Sequence, residues 1–251
     1  MTDANIDAIS LAALRALPDP RAWASERIAD HRIIRVTGAA APDYVVRAIG
    51  YLKKVMAHTL PNYHPLKPGA PNFYRLSFDD PRSYVKAFMH QFNFFEWNQD
   101  RLDLFQRLGF LFELKEYTNR EAVDYTGTVR RISFQFYPSG RGHMNMHRDP
   151  VGKHQAGVVS VVMSKRGRDY DTGGFYIERD GGRRIFPEDA CEVGDIVIFN
   201  GAEAHGVETI DAARTYDSLD DRGRWMALIA VTKSADNDAI ADAEDLQNAR
   251  G

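Results

Sequence analysis

Between residues 129 and 231 the chain keeps no helical period, and this narrows its possible folds more than any other feature. Short apolar stretches alternate there with glycine- and aspartate-rich turns. Arg131-Ile-Ser-Phe-Gln-Phe-Tyr137 places Ser133, Gln135 and Tyr137 on one face and Ile132, Phe134 and Phe136 on the other. A strand with one polar and one apolar face suits a wall that lines a wet pocket and packs outward on helices. Residues 158–163, 173–178, 191–199 and 224–231 read as further strands, with Asp180-Gly-Gly182 as a turn.

One stretch in this region carries chemistry: Tyr137-Pro-Ser-Gly-Arg-Gly-His-Met-Asn-Met-His147-Arg148-Asp149. On an extended strand His147 and Asp149 point to one side and Arg148 to the other. An imidazole and a carboxylate are two of the three ligands of the facial triad that holds non-haem Fe(II) and leaves coordination positions open. The third ligand must come from elsewhere, and His205, after the strand Asp195-Ile-Val-Ile-Phe199, is the best candidate. The same strand parity sets His143 and Asn145 beside His147, with His143 as an alternative ligand. Asn145 and Gln135 are candidates to bind a cosubstrate carboxylate or the substrate, or to satisfy one another.

The first 128 residues read as mostly helical. Ile6, Ile9, Leu11, Leu14 and Leu17 predict an amphipathic helix stopped by Pro18-Asp-Pro20, and a second short helix covers 22–29. A strand follows at 31–38, then a helix opened by Pro42-Asp43. Prolines 61, 65, 68 and 71 exclude regular structure from 59–72, a candidate pocket wall. Asp79-Asp80-Pro81 signals a helix start, with Tyr84, Val85, Phe88, Met89 and Phe92 on one stripe, and another helix runs through Leu102, Phe105 and Leu108. The tail 234–251 reads as a helix or a loose segment.

At 251 residues the chain fits a single domain. Its net charge of −3 gives no electrostatic attraction to nucleic acid. The lone Cys191 permits no internal disulfide and suits a cytoplasmic protein. No apolar run approaches the roughly 18 residues of a membrane span.

The ordered set of parts over residues 129–231 resembles the iron(II)/2-oxoglutarate-dependent dioxygenases, nearest in pattern to the prolyl-hydroxylase-like branch. The set comprises Tyr137 and Gly140 ahead of His147-x-Asp149, then Gly173-Gly174, then Val193-Gly-Asp-Ile-Val-Ile-Phe running into His205-Gly-Val, and a basic residue opening the last strand. The resemblance implies a double-stranded β-helix core, a jelly roll of the cupin-like kind, over 129–233, flanked by α-helices. It implies Fe(II) on His147, Asp149 and His205, with 2-oxoglutarate as cosubstrate and O2 as oxidant. Arg224 matches the residue that pairs with the distal carboxylate of 2-oxoglutarate, with Arg222 as competitor, and Tyr137 matches a cosubstrate-contacting position. A guanidinium suits that task because it forks two hydrogen bonds onto a carboxylate and stays charged when buried.

Two departures stand out: Met226 replaces a hydroxyl residue common two places after the arginine, and 215–223 is a polar insertion. The retained Asp149 implies hydroxylation, desaturation or epoxidation rather than halogenation. The expected substrate is a small molecule, the alternatives being a peptidyl residue or a metal-dependent reaction without oxygen on the same scaffold.

Overall fold

A computed structural model describes residues 5–78, 85–151, 156–234 and 244–246. The strands are β1 (Ile6–Ser10), β2 (Ile33–Thr37), β3 (Phe73–Phe78), β4 (Ala87–Phe95), β5 (Thr128–Pro138), β6 (His143–Arg148), β7 (Gly157–Val162), β8 (Gly174–Arg179), β9 (Arg183–Ile185), β10 (Ile196–Asn200), β11 (His205–Glu208), β12 (Gly223–Lys233) and β13 (Glu244–Asp245). The helices are α1 (Leu11–Arg15), α2 (Pro20–Ala29), α3 (Pro42–His58), α4 (Leu104–Arg107) and α5 (Phe110–Tyr117).

The ladder order is β1-β2-β10-β7-β12-β5-β4-β6-β11-β8-β9, with β3 also on β4 and β13 also on β6. Its bend lies where β4 leaves β5 and meets β6 through Ala87↔Met144 and Phe88↔His143. Side chains of the two halves then meet inside: the Phe175 ring of β8 lies 5.0 Å from the Phe199 ring of β10. Strands β5 to β12 thus interleave as β10-β7-β12-β5 facing β9-β8-β11-β6, the double-stranded β-helix expected from the sequence.

The alternation in β5 sorts its side chains as its pattern requires. Ile132, Phe134 and Phe136 join Trp225, Ala227 and Ile229 of β12 against Ala24 and Ile28 of α2, Tyr44 and Leu52 of α3, and Leu111 and Leu114 of α5. This outer cluster contributes most of the apolar burial, at roughly 25 cal/mol per Å2. The opposite face looks into the barrel, where Tyr137 packs with Met89, Val207 and Met226.

Three N-terminal and C-terminal expectations change. The helix expected from Ile6 is a strand, β1, pairing in parallel with β2 from Ile6↔Ile33 to Ser10↔Thr37. Only the five residues of α1 are helical, capped by the Ser10 hydroxyl accepting from the Ala13 amide. The helical stripe at Phe88, Met89 and Phe92 is likewise a strand, β4, buried at all nine positions. A strand covered on both sides shows no polar alternation, and a four-residue aromatic spacing satisfies a period of two as well as one of 3.6. The expected start of that helix at 79–81, and Tyr84, lie outside the described residues. Ahead of β5 the chain therefore holds four strands beside its helices, of which only β2 was expected. In the tail, Glu244–Asp245 pairs with Arg148 and His147 as a strand rather than a helix; most of the remaining tail is outside the described residues. The segment 59–72 carries no regular structure, as its prolines require. Among the described residues no helix is long and apolar enough to cross a membrane.

Candidate metal centre

His147 stands at the end of β6 and His205 at the start of β11, directly opposite one another in the ladder. Their rings are 4.2 Å apart. Asp149 follows β6 by one residue and is fixed there by its amide, which donates to the Gly201 carbonyl at 2.9 Å. Among the described residues these three form the group able to share one ion, with a ligand atom from each within 4.8 Å of the others.

The hydrogen bonds prepare both imidazoles as ligands. Nδ1 of His147 faces the Asn145 carbonyl at 2.9 Å, and Nδ1 of His205 faces that of Glu203 at 2.8 Å. A carbonyl only accepts, so each Nδ1 carries the proton and each Nε2 keeps its lone pair. The Nε2 atoms point at the Asp149 carboxylate, 3.8 Å from Oδ1 for His147 and 3.6 Å from Oδ2 for His205. Burial, helped by the neighbouring His147 and opposed by Asp149, pushes the His205 pKa down to about 3. It is therefore neutral at physiological pH, the form that binds metal. Two imidazole nitrogens and one carboxylate fit a divalent first-row ion.

The expected partnership of His143 with this pair does not form. Val207 stands two residues from His205, yet their partners Met144 and His147 stand three apart, so β6 holds one extra residue. This bulge turns Met144 inward, where its sulfur lies 4.0 Å from the Tyr137 hydroxyl. His143, one residue earlier, takes the opposite face, with Nδ1 on the Arg141 carbonyl at 2.9 Å. Asn145 serves the centre through its backbone.

Deeper in the barrel lies Arg224, 1% exposed and opposite Tyr137. Its guanidinium sits 5.2 Å from the Tyr137 ring and 5.8 Å from the Phe175 ring. Phe175 in turn lies 6.2 Å from the His205 ring, so one aromatic separates Arg224 from the centre. The sequence pattern missed Glu188, which the Pro187–Ala190 turn brings into contact with this arginine. Arg224 donates to Glu188 through Nε at 2.8 Å and through Nη2, while its buried Nη1 has no partner. Tyr137 donates its hydroxyl to Gln135 Oε1 at 2.6 Å. Arg222, the competitor, lies at the rim and pairs with Asp171 at 2.8 Å and Asp211 at 3.5 Å.

A second unanticipated residue is Lys115, buried on α5. Its ammonium donates to the Gly157 carbonyl at 3.1 Å. Burial lowers its pKa to about 8, against the pull of Asp149. The basic residues of Lys165-Arg-Gly-Arg168 are each paired with a carboxylate, Lys165 with Glu192, Arg166 with Asp189 and Arg168 with Asp169.

No protein-family model matches the chain. No curated protein matches it in sequence. Solved structures do match in fold. A prolyl-4-hydroxylase from Pseudomonas putida aligns with a TM-score of 0.53 at 14% identity, covering 86% of this chain and all of that one. A prolyl hydroxylase from Trichoplax adhaerens, bound to a peptide of a hypoxia-inducible factor, aligns at 0.53 and 9% identity over 85% and 89% of the two chains. An epimerase solved with Fe3+, alpha-ketoglutarate and nogalamycin RO aligns at 0.51 and 11% identity over 86% and 85%. At these identities the likeness is one of fold.

Proposed function

We propose that this protein is an Fe(II)- and 2-oxoglutarate-dependent oxygenase that oxidises a C–H bond of a small molecule. The observation that carries this reading is the convergence of His147, Asp149 and His205, from separate strands of the barrel, within reach of one ion. Bound together, ferrous iron and 2-oxoglutarate supply activation of O2, with release of succinate and CO2.

The chain's own part is binding, orientation and exclusion of water. The imidazoles of His147 and His205 and the carboxylate of Asp149 would hold the ion and leave part of its coordination to the cosubstrate. The buried, unpartnered Nη1 of Arg224 is a donor that needs an acceptor, and the distal carboxylate of 2-oxoglutarate is an acceptor of suitable charge. Tyr137 stands beside it, its hydroxyl oriented by Gln135. Phe175 packs between the centre and Arg224, with the Phe199 ring against both Phe175 and His205, and these rings keep that space apolar. The proline-rich segment, the expected pocket wall, is tied onto β3 by the Asn62 amide donating to the Tyr74 carbonyl at 2.7 Å.

Anaerobic titration should show one Fe(II) per chain, and 2-oxoglutarate should bind more tightly once iron is present. Exposure to air with ascorbate should then release succinate, accelerated by the true substrate in a metabolite screen with mass detection of an added oxygen. Failure to bind iron in the wild-type protein overturns the reading.

A further inference from the structure

A second group of polar side chains occupies the concave face at the β4–β5 pair. Arg131, Ser133 and Gln135 of β5 stand opposite Phe95, Asn93 and Gln91 of β4. Arg131 is 8% exposed and Asn93 1%. Arg131 donates through Nη1 to Asn93 Oδ1, and the Ser133 hydroxyl donates to that same oxygen at 3.1 Å. With its oxygen so occupied, Asn93 turns its amide nitrogen elsewhere. The Asn93 Nδ2, the Arg131 Nε and the Thr232 hydroxyl are then all buried with no hydrogen-bond partner. Among the described residues no carboxylate lies within ion-pair distance of Arg131.

This is an excess of donors around a buried positive charge, the reverse of the arrangement at Arg224, where Glu188 supplies the balancing carboxylate. Arg75 of β3 stands opposite Gln91, and burial followed by repulsion from Arg75 lowers the Arg131 pKa to about 9. Folded chains rarely leave buried donors and charge without a partner, and a cluster of them calls for an acceptor from water, an ion or a ligand.

The group also lies in the layer of the metal centre. Arg131 pairs with Ala230, two residues beyond Leu228, which pairs with Ser160. Val158, two residues before Ser160, pairs with Phe199, whose ring lies 4.8 Å from that of His205. Arg224 and Tyr137 sit six residues away along the same two strands. The Tyr63 ring, from the proline-rich segment, stands 5.8 Å from the Arg75 guanidinium and borders the same region.

We infer that Arg131, Asn93 and Thr232 form a carboxylate-binding subsite, separate from the cosubstrate anchor, so that the molecule oxidised over the metal is an organic acid held by its carboxylate. A carboxylate presents two acceptor oxygens in a plane, which suits the guanidinium edge at Nε and an adjacent amide N–H. The inference rests on the oxygenase reading for the reaction but not for the binding, and the two are separable in experiment.

The test measures equilibrium binding by calorimetry under argon, with and without Fe(II) and 2-oxoglutarate. The probes are monocarboxylic acids, from acetate and benzoate to N-acetylamino acids, each beside its primary amide. Wild-type protein should bind at least one acid ten-fold or more tightly than its amide, and Arg131→Gln should lose that preference while binding Fe(II) and 2-oxoglutarate as before. Asn93→Asp guards against a folding artefact, since it places a carboxylate beside Arg131: it should raise the melting temperature and exclude the acids. Equal binding of acids and amides, acid binding that survives both substitutions, or a fall in 2-oxoglutarate affinity in Arg131→Gln would overturn the subsite. Acid binding that depends on Arg131 in a protein that takes up no iron would keep the subsite and end the oxygenase reading. Iron and 2-oxoglutarate binding with no acid bound would do the opposite.

Discussion

Arg224 is held in the barrel by a carboxylate of its own chain, and this sets what a cosubstrate meets there. Glu188 takes two of its nitrogens and balances its charge, leaving Nη1 as the free donor. Glu188→Gln preserves an acceptor for the guanidinium but removes the competing charge, so 2-oxoglutarate should bind several-fold more tightly, read by calorimetry on the iron-loaded protein. Arg224→Met strands Glu188 as an uncompensated buried anion, and urea unfolding should show a loss of about 3–5 kcal/mol. At the centre, Asp149→Ala removes the only anionic ligand. Fe(II) affinity should fall at least a hundred-fold while the circular dichroism spectrum is unchanged, because Asp149 stands past the end of β6. The three residues that converge at the candidate centre were legible in the sequence because their types and order stand out there. Glu188 was not: an acidic residue in a Pro-Glu-Asp turn looks like any solvated surface loop until the fold brings it against an arginine 36 residues away.

At the scale of elements, strands were legible where polar alternation or a short apolar run between turn signals marked them. β5 announces itself by alternation and β12 by a strongly apolar run, and their inner faces carry Gln135, Tyr137 and Arg224. β4 hides because both of its faces are covered, and β1 because its two isoleucines have a helical three-residue spacing and fall on opposite faces of the strand, Ile9 on one cluster and Ile6 on another. The bulge in β6 leaves no trace in composition, which is why strict parity placed His143 with the ligands. Turns between strands are more demanding. Gly173 has φ +81°, and a Cβ there would lie 2.3 Å from the Thr209 carbonyl oxygen. Gly173→Ala should therefore cost roughly 2 kcal/mol or more, the left-handed backbone and the clash acting together. Chemical denaturation of the metal-free protein would measure it.

For the molecule as a whole, acid is the weak side. Burial lowers the pKa of His90 from 6.5 to about 4 and that of His205 to about 3, so both imidazoles bind protons less readily in the folded state than in the unfolded one. Their effect on stability is absent above about pH 6.5 and grows as pH falls toward the folded values. For His90 alone the loss approaches roughly 3 kcal/mol by pH 4, at about 1.4 kcal/mol per unit. Metal-free protein should show this decline between pH 7 and 4, and His90→Phe should flatten its part of the slope despite losing the hydrogen bond with Tyr74. The barrel also divides the chain into stretches that differ in their tolerance of length variation. Segments such as 59–72, without regular structure, accept added residues at small entropic cost. Dropping the single surplus residue from β6 would leave every strand in place, yet it would exchange the outward and inward neighbours of His147 and take Met144 from beneath Tyr137. Insertions and deletions in chains built on this plan should therefore cluster outside the six residues that end at Arg148.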